Sequence, residues 1–416
     1  MNEGWDVIVT GAGAAGLFAA ATAAARGRRT LLLEKNKKLG VKILMSGGTR
    51  CNITHEASWQ AMADAFGKRQ GRFLKFAMAS LKPEDVVRRF HDLHVPTKVE
   101  STGKIFPQSD RAIDVRDALV SWAIQCGVEI LNESPVTDIR QSPTGFCVTA
   151  GGKELECSSL IVTVGGQSYP GCGTTGDGYR WLTELGHTIV HPRPALTPLR
   201  IIDDWARELA GITTADVAAR IQLEKPELAH SNGRASDRGS FLFTHRGCSG
   251  PVVLNLSRAV TDPAHNCRKQ LVCDWLPELG EQQLRDELKG ESGSATAQHI
   301  GSWLAARLPK RLAAALCQRA AVDYARPLAE LSRPQIATIL QQLKQCSLDI
   351  AGTLGFAKAE VTAGGLSLDE VDPNTMASRI AQGLFVSGEI LDVDGPIGGY
   401  NFQAAFSTGF VAGNNA

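Results

Sequence analysis

The sequence predicts an α/β fold in which the two ends of the chain build one parallel sheet and a second domain is inserted between them. Near each end, an apolar run leads into a glycine-rich turn and an Ala-rich segment, first at Asp6–Thr10 and again at Gly383–Glu389. This order of strand, turn and helix is typical of doubly wound parallel sheets. Prolines cluster between residues 192 and 198 and indicate where the chain leaves the first domain.

The middle of the chain has a different pattern. Val217–Leu223 alternates polar and apolar residues like an antiparallel strand, and residues 278–346 carry mostly helical spacing. We therefore predict a discontinuous domain, residues 1–190 plus 355–416, and an inserted β-rich domain with a helical part, residues 191–354.

Composition narrows the class of protein. Of the 416 residues, 43% are hydrophobic and 21% are charged, so the chain can form a large core. Lys and Arg number 44 against 43 Asp and Glu, which argues against a nucleic-acid partner held by a general basic surface. The longest apolar run, Ala14–Ala25, is too short to span a bilayer. The ten cysteines include no CxxC pair, so we expect no metal site and reduced thiols in a cytoplasmic protein.

The first strand runs directly into a GxGxxG motif, Gly11–Gly16. Gly11 allows the tight turn, Gly13 lets the backbone approach a pyrophosphate, and Gly16 lets helix and strand pack closely. A helix follows, predicted at Leu17–Arg26, and a second strand ends at Glu34, where an acid can accept hydrogen bonds from ribose hydroxyls. The whole unit therefore predicts a dinucleotide site.

A second GxGxxG, Gly171–Gly176, does not predict another such site. The strand before it, Leu160–Val164, ends six residues too early, and no acid follows at the ribose position. One dinucleotide site without a nicotinamide domain favours FAD, a cofactor that carries out the chemistry itself.

The loop after the second strand is basic and glycine-rich. Its backbone N–H groups around Ser46–Gly48, together with Lys42 and Arg50, can contact an anion beside the pyrophosphate, although the basic run also fits a solvated loop. Cys51 is either a redox thiol or, the reading that we favour, a small buried residue.

The remaining elements follow from local patterns. The sequence predicts a helix from Pro83 onward and a hairpin at residues 98–107. It also predicts strands at Val128–Leu131, Pro135–Ile139, Phe146–Thr149, Lys153–Cys157 and Ser240–Thr244. Near the C-terminus, Gly388 and Glu389 end a strand, and Gly395–Ala405 opens a helix that runs to Gly413. The N–H dipoles of that helix can face a reduced flavin, so both chain ends build one FAD site.

Five sequence blocks together resemble the BaiN/RdsA-type, or YhiN-like, flavoproteins. The blocks are Gly11–Gly16, Lys42–Asn52, Thr174–Tyr179, Phe243–Pro251 and Gly388–Gln403. The resemblance covers the whole chain and implies a glutathione-reductase-type FAD-binding Rossmann domain with an inserted β-barrel-like domain that carries a helical subdomain. It also implies a bacterial NAD(P)/FAD-dependent oxidoreductase. Some members of the family are linked to reduction of unsaturated steroid-like ketones, and a relative to oxidation of a small aminoketone.

The resemblance also assigns cofactor contacts by motif position. They are Gly11, Ala12, Gly13, Ala14, Ala15, Gly16, Glu34, Lys42, Gly48, Arg50, Val136, Gly165, Gly388, Glu389, Asn401, Phe402, Gln403 and Ala404. Lys35 and Cys51 complete the predicted cofactor-binding set. Thr49 departs from the family pattern, because a third glycine is commoner there.

Three functions fit these features. The first is a FAD oxidoreductase that exchanges a hydride with a small organic molecule such as an unsaturated ketone or an amine, in a cleft between the domains. NAD(P)H would then bind only transiently. His245 and Tyr400 are the candidate acid–base residues, although His245 equally fits a loop-fixing role and Tyr400 a packing role.

The second function is an RNA-modifying flavoenzyme, and the third is a non-catalytic flavin-binding protein. The RNA alternative needs a basic groove, and the predicted basic helix face of Arg307, Lys310, Arg311 and Arg319 is more often simply solvated. We therefore expect a small-molecule substrate and neither a nucleic-acid partner nor a membrane. The sequence does not predict the oligomeric state.

Overall fold

The computed structural model describes residues 4–225, 236–289 and 298–416. The chain forms two compact units. The first unit comprises Met1–Pro194 with Ala359–Ala416, and the second unit comprises Ala195–Lys358.

The first unit contains a seven-stranded main sheet, a three-stranded sheet and a two-stranded sheet. Its strands are β1 Trp5–Thr10, β2 Thr30–Leu33, β3 Thr54–His55, β4 Thr97–Val99, β5 Lys104–Pro107, β6 Glu129–Leu131, β7 Val136–Ser142, β8 Gly145–Ala150, β9 Lys153–Val162, β10 Ile189–Ala195, β17 Val361–Leu366 and β18 Leu384–Val386. The three-stranded sheet has the order β3-β5-β4, and the two-stranded sheet pairs β10 with β17. Its helices are α1 Ala14–Ala25, α2 Val41–Met45, α3 Trp59–Asp64, α4 Lys68–Ser80, α5 Pro83–Asp92, α6 Ala112–Gln125, α7 Asp177–Glu184 and α14 Tyr400–Asn415.

The strand order places the two chain ends side by side. The main sheet runs β6-β2-β1-β9-β8-β7, and β18 also pairs with β9. β1 is parallel to β2 and to β9, and β18 is parallel to β9. The strand from the C-terminal part is therefore one strand away from β1, because both flank β9. This arrangement confirms the predicted α/β class.

Two predicted strands proved to be one. Lys153–Cys157 and Leu160–Val164 were expected as separate elements, but β9 is continuous and ends at Val162. Its first half pairs with β8 in the hairpin, and its second half pairs with β1 and β18. The first helix also begins earlier than predicted, at Ala14, because the GxGxxG turn itself enters the helix.

Close packing of α1 on α14 ties the two chain ends together. Ten of the twelve residues of α1 are buried. A Cβ atom added at Gly409 would lie 2.4 Å from the carbonyl oxygen of Ala15, and one added at Gly413 would lie 2.4 Å from that of Ala19. The two backbones therefore approach more closely than any side chain permits.

The second unit contains a closed barrel of order β11-β14-β13-β12-β15-β16. The strands are β11 Leu199–Ile201, β12 Thr213–Leu223, β13 Ser236–Thr244, β14 Gly247–Ser249, β15 Lys269–Asp274 and β16 Cys346–Thr353. The helices are α8 Asp204–Glu208, α9 Pro251–Thr261, α10 Glu281–Leu288, α11 Ile300–Ala305, α12 Lys310–Arg319 and α13 Arg333–Lys344.

Aromatic packing fills the centre of the second unit. Phe241, Phe243 and Trp275 are fully buried and contact one another at ring-centroid distances of 4.8 to 5.6 Å. Helices α10 to α13 occupy the stretch predicted as mostly helical, of which residues 290–297 lie outside the described residues. Among the helices that the structure describes, none combines the length and apolar character needed to cross a membrane.

Candidate dinucleotide site at the carboxyl edge of the sheet

The loops after four parallel strands meet at one edge of the main sheet. Gly11 follows β1, Glu34 follows β2, Gly165 lies beyond β9, and Gly388 with Glu389 lies beyond β18. Strands β1 and β9 are neighbours although most of a domain separates them in sequence. In doubly wound sheets, ligands bind outside the carboxyl ends of the strands at the point where the strand order reverses. By this rule we expect the predicted dinucleotide to bind at this edge.

Each of the three glycines of the first loop is required, or leaves space, for a different structural reason. Gly11 adopts φ +94°, and an added Cβ would lie 3.0 Å from the Thr163 carbonyl oxygen. A Cβ at Gly16 would lie 1.9 Å from the carbonyl oxygen of Gly11. Gly13 has no atom within 4 Å of an added Cβ, so open space lies above the N-terminus of α1. The first-turn N–H groups at Ala14 and Ala15 have no acceptor within the helix.

Glu34 fixes this loop from the next strand. Its side chain is 8% exposed. Oε2 accepts a hydrogen bond from the N–H of Ala12 at 2.9 Å, and Oε1 accepts from the N–H and the side-chain amide of Asn36. Both carboxylate oxygens thus already have partners, and each retains capacity to accept from a ribose hydroxyl.

The second glycine loop is a tight turn of left-handed residues. Gly47 and Gly48 adopt φ +54° and +67°, and the following Thr49 adopts φ +70°. An added Cβ at Gly48 would meet no atom within 4 Å. The position where a third glycine was expected therefore has the backbone geometry of glycine although threonine occupies it.

Arg50 and Cys51 already have partners or surroundings within the protein: Arg50 is paired with an acid, and Cys51 is enclosed in the core. The guanidinium of Arg50 lies over the ring of Phe106 and donates to Glu100 at 2.7 Å. The bond to Glu100 raises the pKa of Arg50. Cys51 is fully buried, and burial raises the pKa of its thiol to about 12. Cys51 is therefore a protonated, enclosed thiol at neutral pH, as the packing interpretation predicts, and lacks the thiolate that redox chemistry needs.

A half-buried ionic cluster links three loops of the site. Lys42 donates to Ser168 at 2.6 Å and forms an ion pair with Glu389. Glu389 also accepts from the Ser168 hydroxyl at 2.6 Å and from the N–H of Thr362 at 3.0 Å. Two sequence-predicted residues, Lys42 and Glu389, are thus brought together. The sequence offered no signal for Ser168 or Thr362, because their role depends on chain segments that meet only in the fold.

The other predicted loop residues lie around this edge. Lys35 donates to Thr175 and pairs with Asp177 at the start of α7. Gly165 adopts φ +72°. Val136 begins β7, immediately after the loop whose Ser134 donates to the carbonyl of Glu34. The second GxGxxG begins in a 3-10 turn, Pro170–Cys172, and ends at Gly176, the residue that caps α7, and no strand leads directly into it.

The N-terminus of α14 forms the remaining wall. Gly399 caps the helix at φ +91°, and an added Cβ would lie 2.4 Å from the Thr54 carbonyl oxygen. Asn401 accepts from the N–H of Gly395 and donates to its carbonyl, and so fixes the preceding loop. Tyr400 stacks on His55 with ring centroids 5.1 Å apart. His55, which the sequence analysis missed, is held by the carbonyl of Gly398 at 3.0 Å.

The last three residues of the C-terminal motif are less free to contact a ligand. Gln403 is completely buried. Its amide accepts from Thr54 and donates to Leu81 and Ser407, and its N–H is bonded within the helix. Phe402 is half-buried and Ala404 is buried. The geometry of Gln403 supports a bracing role.

His245 lies in the second unit. It is exposed in the turn between β13 and β14. Of the predicted basic face on α12, Arg319 lies over the Trp205 ring and Arg311 donates to the carbonyl of Glu208. Arg307, just before the helix, pairs with Glu287 at 2.8 Å.

The residues at the sheet edge fit a dinucleotide. A Cβ added at Gly13 or at Gly48 would meet no atom within 4 Å, which leaves room for a phosphate beside the backbone N–H groups of each turn. Glu34 and Glu389 follow the ends of β2 and β18 at the same edge. In the described parts of the chain, no group of three or more His, Cys, Asp or Glu side chains is arranged to hold a metal ion. The site thus has the form of a nucleotide-binding flavoenzyme centre.

Comparison with known proteins agrees with this class. The model of the HI0933-like protein Rossmann domain matches residues 5–415. The chain belongs to this family and is an FAD-dependent oxidoreductase with the Rossmann-type FAD-binding fold.

Two relatives of known name match over nearly their whole length. One is the ribosomal RNA dihydrouridine synthase of Escherichia coli, 32% identical over 98% of this chain and 97% of the relative. Another is the 3-dehydro-bile acid delta(4,6)-reductase of Clostridium scindens, 31% identical over 98% of both chains. Among solved structures, a 3-ketosteroid-delta4-(5alpha)-dehydrogenase of Rhodococcus jostii matches at 16% identity with a TM-score of 0.49, covering 99% of this chain and 96% of the other.

Proposed function

We propose that this protein uses FAD, bound at the carboxyl edge of the sheet, to reduce a carbon–carbon double bond conjugated to a carbonyl group. NAD(P)H is the proposed electron donor. The observation that carries the proposal is the sheet edge at which the Gly11–Gly16 loop and the Gly388–Glu389 loop follow two strands that flank β9. Glu389 holds Lys42 there, and the turns at Gly13 and Gly48 leave room for a phosphate.

The activities named for the two relatives have one chemical feature in common, the reduction of a carbon–carbon double bond conjugated to a carbonyl group. A dihydrouridine synthase saturates the C5–C6 bond of uracil, which is conjugated to the C4 carbonyl. A delta(4,6)-reductase of a 3-oxo compound saturates double bonds conjugated to the 3-carbonyl. Each reduction adds a hydride to an electron-poor carbon of the conjugated system. In uracil and in a simple enone this is the carbon β to the carbonyl, with the proton going to the α carbon, whereas the outer double bond of a dienone is attacked at its δ carbon. The conjugated carbonyl group, which both substrates contain, supports the proposed substrate class more strongly than the pyrimidine ring or the steroid ring does.

Bound FAD would supply the two-electron hydride chemistry. The chain would contribute N–H groups and the positive end of the α1 dipole to the pyrophosphate, and the α14 dipole to negative charge at the ring. Glu389 would hold Lys42 in place, since its carboxylate joins the α2 segment to the loops at Ser168 and Thr362.

Two residues are proposed as the proton donor to the α carbon. Tyr400 lies on the first turn of the sixteen-residue α14, where the helix dipole stabilises a phenolate, and His55 holds its ring by stacking. His245 is the second candidate, because its imidazole is exposed in the turn between β13 and β14 and its ring nitrogens can carry a proton.

The test is reoxidation of the reduced protein without oxygen. Photoreduced holoprotein should return to the oxidised flavin spectrum when mixed with cyclohexenone, a 3-oxo-4-ene steroid or uridine-containing RNA. Saturated analogues of each compound are the controls. Tyr400→Phe or His245→Ala should slow reoxidation at least tenfold at unchanged FAD content. Reduction of the oxidised flavin by amines, with no reoxidation of the reduced flavin by any conjugated carbonyl compound, would overturn the proposed reaction.

The proposed electron donor has its own test. Rapid flavin reduction by NADH or NADPH supports the proposed donor, whereas reduction by neither would favour a non-catalytic flavin protein. A cytoplasmic location stays a prediction. The expectation of no nucleic-acid partner gives way to the RNA arm of the reoxidation test, because one relative is named a ribosomal RNA dihydrouridine synthase.

A further inference from the structure

The outer face of α4 carries cations that have no partner in the fold. Lys68, Arg72 and Lys75 are exposed and, within the described residues, take part in no hydrogen bond or ion pair. At 3.6 residues per turn they fall within about 60° of one another around the helix axis. Phe76 lies beside them and is 45% exposed. We call these four residues the α4 basic face.

The stability of the helix does not explain this pattern. The helix contains no acidic residue, and its cations begin in the first turn, where the positive end of the helix dipole disfavours them. Neighbouring Arg69 behaves differently, because it pairs with Asp369 and Asp392. Residues that reduce the stability of their own element are expected at functional sites.

The opposite face of α4 supports the candidate site. Gln70 donates to the carbonyl of Asp392 and to the side chain of Asp394, in the loop between Glu389 and α14. Phe73, Leu74, Ala77 and Met78 are buried in the core of the first unit. The α4 basic face is therefore the outer surface of an element whose inner surface braces the C-terminal part of the flavin site.

We propose that the α4 basic face binds the phosphate backbone of single-stranded RNA, with Phe76 as a stacking platform for a base. Unpaired cations interleaved with an exposed aromatic ring form the general recognition pattern for single strands. The inference rests on the proposed function, because uracil in RNA then becomes the conjugated carbonyl substrate that the face presents to the site.

The same surface fits a membrane poorly. An interfacial helix buries a wide apolar face in the lipid, whereas the apolar face of α4 is already buried in the protein core and leaves Phe76 as its one large exposed apolar side chain among the described residues. The α12 face is a weaker RNA candidate, because Arg311 and Arg319 are engaged by neighbouring groups.

The test compares two triple variants that remove the same charge. Lys68→Gln/Arg72→Gln/Lys75→Gln is measured against Lys310→Gln/Arg311→Gln/Arg319→Gln for binding of a fluorescent 20-nucleotide uridine RNA to oxidised holoprotein between 50 and 200 mM salt. The α4 variant should bind at least tenfold more weakly at 50 mM salt. Its log–log salt slope should be shallower by about 2, from three lost contacts at about 0.7 each. The α12 variant should bind like the parent protein.

Phe76 supplies a second, charge-neutral test. Phe76→Ala should weaken RNA binding about tenfold, and Phe76→Trp should retain it, since stacking needs only an aromatic face. Flavin content and thermal midpoint serve as folding controls for each variant.

Three results would overturn the inference: equal loss in both triple variants, unchanged binding in the α4 variant, or α4-dependent binding to phosphatidylglycerol vesicles without RNA binding. Failure of the proposed function is a separate result. In that case RNA binds through α4, but no conjugated carbonyl compound reoxidises the reduced flavin.

Discussion

Thr49 adopts a backbone conformation that threonine rarely accepts. Its φ of +70° lies in the left-handed region, where an L-residue costs about 1–2 kcal/mol relative to glycine and a β-branched residue is an outlier. Its side chain is exposed and bonds only to the adjacent carbonyl of Gly48. The glycine pattern of the family thus corresponds to a real requirement of the backbone at this position.

Thr49→Gly is expected to raise the free energy of unfolding by about 1 kcal/mol, because it relieves this strain at the cost of some chain entropy. Thermal or urea unfolding of the holoprotein measures the change, and Gly48→Ala, at φ +67°, should shift stability in the opposite direction. An unfolding midpoint for Thr49→Gly at or below that of the parent would contradict the account.

The thiols are expected to divide into two groups. Of the ten cysteines, Cys126, Cys172 and Cys267 are partly exposed and the others are buried. Burial raises the pKa of Cys51 and Cys157 to about 12. A disulfide reagent at pH 8 should therefore modify three thiols in the native protein and ten after unfolding. Rapid native modification of Cys51, located by peptide mapping, would refute the enclosed-thiol assignment.

The buried thiols also set a pH dependence. Their folded pKa lies above the ordinary value of 9.0, so the folded state retains protons that the unfolded state releases. This stability is fully present below pH 9 and is lost as pH rises through about 12. Cys51→Ala should reduce the alkaline loss in a pH series of urea unfolding midpoints. An unchanged alkaline slope would show that Cys51 does not contribute.

At the scale of elements, the contact of α1 with α14 leaves no space for a side chain at two glycines of α14. Small residues on α1 face Gly409 and Gly413 on α14, and the first turn of α1 forms part of the glycine loop. A change in helix spacing therefore reaches the cofactor site directly.

Gly409→Val should destabilise the protein by about 1–3 kcal/mol and lower the FAD retained after gel filtration, because the added methyl groups meet the backbone of Ala15. Gly127→Val offers a control at a glycine with no atom within 4 Å of an added Cβ, although its φ of +91° adds strain of its own. If Gly409→Val lost no more FAD than this control, the close approach would not matter to the site.

At this scale, local patterns predicted much of the structure. β1, β2 and the β4–β5 hairpin were predicted within one or two residues, because apolar runs and turn residues are local signals. The continuity of β9 was missed, since pairing partners on both sides decide it. Ser168, Thr362 and His55 were missed for the same reason: their contacts join segments distant in sequence.

For the whole molecule, one site is built from segments at both ends of the chain. β1 and β18 both pair with β9, and α1 packs on α14. The near-neutral net charge of +1 conceals a local imbalance. Lys68, Arg72 and Lys75 of α4 form no ion pair within the described residues, whereas Arg311 and Arg319 of α12 are engaged by neighbouring groups. Overall charge balance is therefore a weak guide to partners when surface cations differ in their local pairing.

The central claim is reduction of a conjugated carbon–carbon double bond at the flavin site, and anaerobic stopped-flow reoxidation tests it most directly. We expect the absorption band of the oxidised flavin to return at a rate that rises with the concentration of an enone or uridine-containing RNA, with one saturated product formed per flavin. A reduced flavin that oxygen reoxidises, but that no conjugated carbonyl compound reoxidises, would contradict it.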